Sequence, residues 1–246
     1  MHSFARHRFA PDGVRRQGTR SRTSFVRPRL LGVTLAALVA LPMSTSTQTA
    51  EAGKKFRTIT KTVSIAAPLS IPGAGTEGPA SLYPATIEVS AFGKFKKARI
   101  KDVNLTLLNL DHTFPDNVDV MLVQGNRQAT VMSDVGGNND ISNVTLTLDD
   151  QAGVSLPDAS ALSSGTFQPT NMIGFGEVGD TFPAAPPQNG GEGLSAFNGA
   201  NPDGQWQLFV HDDFNADTGS FAGGWSLEIT AKVKEAKDKK HGKGKK

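Results

Sequence analysis

Oxygen-bearing side chains crowd one short stretch of this sequence, Asp212-Asp213-Phe214-Asn215-Ala216-Asp217-Thr218-Gly219. Asp213, Asn215 and Asp217 stand at i, i+2 and i+4, a spacing that can turn three oxygens toward one point. Gly219 then lets the backbone curl behind them. Calcium takes six to eight oxygens at flexible geometry, so Asp212, Asp213, Asn215 and Asp217 form a candidate calcium loop. The pattern is not that of an EF-hand, because the glycine falls one place late and no glutamate closes position twelve. The same residues also suit an Asx-rich β-hairpin turn, in which Asp and Asn cap their own backbone. A weaker oxygen cluster, Asp134, Asn138, Asn139 and Asp140, surrounds Gly136-Gly137. Asp149-Asp150 reads as solvated charge at a strand end.

Catalytic chemistry finds less support. Asp217-Thr218-Gly219-Ser220 spells the aspartic-protease tetrapeptide, but that reaction needs two facing carboxylates sharing a proton. A nucleophilic triad needs a histidine, and past the N-terminal region only His112, His211 and His241 are offered. His112 sits in Asp111-His112-Thr113, where a turn hydrogen bond is its ordinary role. His211 precedes two aspartates and can titrate upward or help hold a metal. No serine stands in a Gly-x-Ser-x-Gly elbow, so a non-enzyme is expected.

The elements that must position these residues are strands. Trp206, Leu208 and Val210 alternate with Gln205, Gln207 and Phe209, and Trp225, Leu227 and Ile229 alternate with Ser226, Glu228 and Thr230. A period of two marks a half-buried strand. Similar alternation recurs at Ile59–Ile65, Thr86–Phe92, Val103–Leu107, Val118–Leu122 and Val144–Leu148, and no stretch shows helical periodicity. Gly/Pro/Asn/Asp segments punctuate these runs, among them residues 68–84 and the stretch 174–193, which is read as a long surface loop. Many short strands with one apolar face each predict an all-β fold of two packed antiparallel sheets. With no cysteine, disulfides cannot staple it.

Charge divides the chain into three. Of 26 Lys+Arg and 23 Asp+Glu, residues 1–52 hold eight arginines against Asp12 and Glu51. Residues 231–246 hold eight lysines against Glu235 and Asp238, which leaves ten basic and 19 acidic side chains in 53–230. The alkaline balance therefore belongs to the two ends of an acidic domain, which argues against specific nucleic-acid binding. The arginine-rich start, the apolar run Leu30–Met43 and Ala50-Glu51-Ala52 predict a cleaved secretory signal peptide over 1–52. The apolar run is short of the ~20 residues of a spanning helix, so no membrane span is expected after cleavage. Residues 231–246, AKVKEAKDKKHGKGKK, predict a disordered lysine-rich tail able to contact anionic surfaces.

Three segments carry a family resemblance. Residues 100–123, IKDVNLTLLNLDHTFPDNVDVMLV, have a strand, a His-Thr turn and an Asp-hydrophobic strand. Residues 132–152, MSDVGGNNDISNVTLTLDDQA, have a glycine-rich loop, a strand and an acidic pair. Residues 197–230, FNGANPDGQWQLFVHDDFNADTGSFAGGWSLEIT, have an Asn-x-x-Gly-x-Trp strand, an acidic loop and a Gly-x-Trp-x-Leu strand. In this order they resemble the P domain (P/Homo B domain) of subtilisin-like proprotein convertases and bacterial secreted proteases. The resemblance implies a jelly-roll β-sandwich, similar to galactose-binding folds, over 53–230. The subtilisin signatures are absent as a set, so catalysis does not come with the resemblance. What it leads one to expect is a secreted or cell-surface binding or structural module, with calcium as a possible stabiliser. An accessory subunit for a separately encoded subtilisin-like protease is the alternative, and a carbohydrate-binding module a second one. Candidate partners are thus such a protease or a cell-surface polymer.

Overall fold

The computed structural model describes residues 56–173, 179–187 and 191–234; the expected leader and the chain beyond Lys234 lie outside them. Strands come in the order β1 (Phe56–Ile65), β2 (Leu69–Ile71), β3 (Gly78–Pro79), β4 (Ala85–Val89), β5 (Lys96–His112) and β6 (Val118–Gln124). They continue as β7 (Arg127–Ser133), β8 (Ile141–Leu148), β9 (Gly165–Phe167), β10 (Thr170–Asn171), β11 (Gly204–Asp212) and β12 (Gly219–Lys234). One sheet has the order β1-β12-β5-β8-β9, with β2 also on β12; the other has β10-β7-β6-β11-β3, with β4 also on β11. Among the described residues no helix is long and apolar enough to cross a membrane.

The alternation read from the sequence does place one face of each long strand in a shared core. Trp225, Leu227, Ile229, Ala231 and Val233 from β12 join Trp206, Leu208 and Val210 from β11 in a single apolar cluster. Both indoles are fully buried. Trp206 Nε1 donates to Pro202 O at 3.1 Å, whereas Trp225 Nε1 is buried with no acceptor among the described residues.

Several expectations need correction. The sheets are mixed rather than antiparallel throughout, because β9 runs parallel to β8 and β10 runs parallel to β7. Parallel neighbours require a crossover of a dozen or more residues, and residues 149–164 provide one between β8 and β9. The Gly/Pro stretch 68–84 contains β2 and β3, both too short to show a period. β12 does not stop at Thr230 but pairs with β1 as far as Lys234↔Phe56. Ala231 and Val233 are buried, so the first four residues of the expected tail belong to the domain. Nor do β11 and β12 form a hairpin: they lie in different sheets, so residues 213–218 cross between layers. Two glycines of β12 make its path possible. A Cβ on Gly219 would lie 2.0 Å from Asp111 O and 2.3 Å from His112 Cδ2, and one on Gly224 (φ +74°) would lie 2.1 Å from Ile65 O.

The stretch 174–193 is more than a surface loop where it is described. Phe182 is buried and packs with Met121, Val123 and Phe209 in a second apolar cluster, bordered by Tyr83. Residues 179–187 therefore cover the outer face of β6 and β11, which explains why β6 is buried along nearly its whole length.

Candidate metal centre

The candidate site is built from that covered outer face. On β6, Val118, Val120 and Leu122 turn into the core, so Asp119 takes the opposite side, in register with His211 on β11. A register shift between β6 and β7 sets Met132 against Val120, and Ser133 then falls beside Asp119. Asp134 follows with a left-handed backbone, φ 51°, and the covering segment delivers Asp180.

Ser133 Oγ lies 2.9 Å from Asp119 Oδ1, 3.0 Å from Asp134 Oδ2 and 2.7 Å from Asp180 Oδ1. A hydroxyl has one hydrogen to donate, so it satisfies one of these carboxylates and leaves two facing an oxygen. Asp119, Asp134 and Asp180 offer ligand oxygens within 4.8 Å of one another. Asp119 is 1 % exposed, and its Oδ2 has no hydrogen-bond partner among the described residues. Burial drives its carboxyl well above the usual carboxylate range, with Asp180, Asp213 and Asp134 adding repulsion and the Ser133 bond opposing it. Burial also raises Asp180, against the Ser133 bond. Asn171 donates to Asp180 Oδ2 at 3.1 Å when its amide nitrogen faces that oxygen. Tyr83 is pushed up to about 12 by desolvation and then by Asp119.

A set of three carboxylates and a hydroxyl is an all-oxygen donor set suited to a hard divalent cation. A bound cation would satisfy the orphaned Asp119 oxygen and offset charges that otherwise repel one another. It would also tie the covering segment, through Asp180, to β6 and β7.

The residues singled out from the sequence meet this centre only in part. Asp134 belongs to it. Asn139 does not, since its Nδ2 donates to Gly136 O and Ala159 O at 2.7 and 3.0 Å, and Asp140 is exposed. The 212–217 loop disperses its oxygens instead of gathering them. Asp212 is buried against His112, Oδ2 to Nε2 at 3.3 Å, and its Oδ1 accepts from Phe214 N at 3.3 Å. Asp217 Oδ1 accepts from Thr113 Oγ1 at 2.8 Å. Asp213 is held through its N–H to Asn117 O at 3.1 Å, close enough to raise Asp119. Asn215 is exposed. The Asp-Thr-Gly-Ser tetrapeptide is thus the end of this crossing and the first residues of β12.

Both described histidines are buried. His112 Nδ1 accepts from Phe114 N at 3.2 Å, which leaves Nε2 toward Asp212. His211 is held below the usual histidine range by desolvation, against the pull of Asp212 and Glu77. Sequence reasoning missed Asp119, Ser133 and Asp180. Asp119 occupies a polar slot of an alternating strand, which by itself predicts only an outward side chain. Asp180 sits in a Gly/Pro-rich stretch with no period at all.

No family model, curated protein or solved structure matches the chain.

Proposed function

We propose that this protein is a non-catalytic binding or structural module, stabilised by one divalent cation, calcium by its donor set, at Asp119, Asp134, Asp180 and Ser133. The observation that carries this reading is the single Ser133 hydroxyl shared by three carboxylates, one of them buried with an orphaned oxygen. Calcium there acts as a structural tie between the sheet and the segment 179–187. The order of the three motif segments supports a jelly-roll sandwich of P-domain type, secreted to the cell surface or beyond. The non-catalytic reading is supported by the two described histidines, which are both buried rather than presented to a substrate. By the same resemblance, the partner that such a module would serve is a separately encoded subtilisin-like protease.

Thermal melts of the chain from Gly53 onward, with calcium and with chelator, test the cation. At a hundredfold excess over Kd, calcium should add about 2.7 kcal/mol. Coincident melts would overturn the reading. Cleavage of casein by the pure chain, lost on mutating a domain residue, would overturn the non-catalytic assignment.

A further inference from the structure

The basic residues of this domain are sorted to one end. No lysine or arginine occurs between Lys61 and Lys94, between Lys101 and Arg127, or between Arg127 and Lys232. The fold brings these separate groups together. At the end of β12, Lys232 lies opposite Thr58 of β1 on one side and Arg99 of β5 on the other. Lys234 lies opposite Phe56 and Lys96. Arg57 and Lys94, from β1 and the β4–β5 loop, both stand over the Phe95 ring at 5.2 Å, and Lys232 Nζ stands over Phe56 at 5.0 Å. Arg57, Lys94, Lys97 and Arg99 are exposed. Lys94 and Lys97 form no ion pair among the described residues, and Arg99 bonds only the carbonyl of Ala98.

Two features separate this end from an ordinary solvated face. Lys232 and Arg99 are direct cross-strand neighbours, and like charges so placed destabilise a sheet. The other end of the same strand pair, where Gly219 faces His112, carries Asp111 and Asp212; at the basic end Asp203 stands beside Gly93 and Asp102 faces Thr230. β12 spans 16 residues between the two ends, about 50 Å of strand, so they are too far apart to neutralise each other across a Debye length of about 8 Å. Arg127 belongs to neither group, since its Nη1 is used by Ala196 O and Asn198 O at 2.6 and 3.0 Å. In sequence the basic end continues into six more lysines, 237, 239, 240, 243, 245 and 246.

We propose that this end, centred on Arg57, Lys94, Lys97, Arg99 and Lys232, docks an anionic phosphodiester polymer of the cell surface. Cations from three separate chain segments suit a ligand that repeats its charge. Stacking of nucleobases would need open ring faces, and here Arg57 and Lys94 stand over Phe95 and Lys232 stands over Phe56. Insertion into lipid would need protruding apolar side chains, and the exposed large ones, Leu82, Val154, Ile173 and Phe214, lie outside this group. The proposal rests on the chain being a binding module, not on the cation site.

The test measures binding of fluorescent polyglycerolphosphate by anisotropy over a salt series, with the chain from Gly53 to Lys246. Affinity should fall linearly on a log–log plot against salt. Replacing Lys94, Lys97 and Arg99 by Glu, with the tail intact, should weaken binding at least tenfold and lower the salt slope by roughly two to three. The Gln versions should weaken it less, and neither set should shift the calcium-dependent melt. Loss confined to Gln replacement of the six tail lysines would overturn the proposal, as would tighter binding to a single-stranded oligonucleotide or to phosphatidylglycerol vesicles. Binding that persists unchanged while the chelator melt shows no cation effect would instead sink only the metal reading.

Discussion

Asp119→Asn should strengthen the metal-free protein and weaken the calcium-loaded one. Two unit charges at 4.8 Å, the span of the cluster, repel by roughly 3.5 kcal/mol at an effective dielectric constant of about 20. Asp119 takes part in two of the three pairs. One involves Asp180, which is partly exposed and therefore screened by water. Domain stability is only about 5–15 kcal/mol in total, so the crowding of Asp119 by its neighbours is a sizeable load, and the substitution lifts it. At neutral pH in chelator, the Asn variant should gain about 2 kcal/mol, which for a domain of this size is a Tm rise of roughly 4–8 °C. In saturating calcium the wild type should gain about 2.7 kcal/mol at a hundredfold excess over Kd, and the variant, without its buried carboxylate ligand, almost none. The order of the two Tm values therefore inverts between chelator and calcium. A variant that is less stable in chelator and responds equally to calcium would refute both the crowding and the site.

Acidification in chelator gives a second check. The folded Asp119 carboxyl titrates above its unfolded value, so between the two the native state holds a proton that the unfolded chain has released. That contribution is fully present below the unfolded value of about 3.9 and is lost as pH rises through the folded one. Wild type should thus gain on Asp119→Asn as pH falls from neutral. His211, lowered in the fold, contributes stability present above about 6.5 and lost as pH falls below it, but it is common to both chains; a flat difference between them would contradict the assignment. Ser133→Ala should cost about 1–3 kcal/mol in chelator and weaken calcium binding by calorimetry, and no change in either would remove the hydroxyl from the centre. Trp206→Phe, losing the bond to Pro202, should destabilise by about 1 kcal/mol more than Trp225→Phe, whose indole N–H has no acceptor among the described residues; urea melts giving the opposite order would refute that reading. Gly219→Ala should cost about 3 kcal/mol by forcing the Asp111–His112 backbone off β12, and a neutral result in the same melts would show that the strands can part there.

Alternation of residues in the sequence determined the two-layer all-β architecture, the inward faces of β11 and β12, and the burial of both tryptophans. A strand's side chains flip at every residue, so a period of two carries the choice of face without reference to partners. The same local logic failed where partners decide. Which strands pair, that residues 213–218 cross between sheets, and that β12 runs on to Lys234 all depend on segments distant in sequence. The 212–217 run looked like a site because its oxygens are close along the chain, but the fold spends those of Asp212 on His112 and the Phe214 N–H and that of Asp217 on Thr113. The carboxylates that do converge come from a strand, a strand end and a covering segment at 119, 134 and 180. Their approach is enforced by the packing of Phe182 onto the sheet and by a register shift between β6 and β7, neither of which leaves a mark in local sequence. The basic end shows the same division. The clustering of lysines and arginines in sequence is legible by inspection, and only the antiparallel register of β1, β12 and β5 puts those clusters side by side.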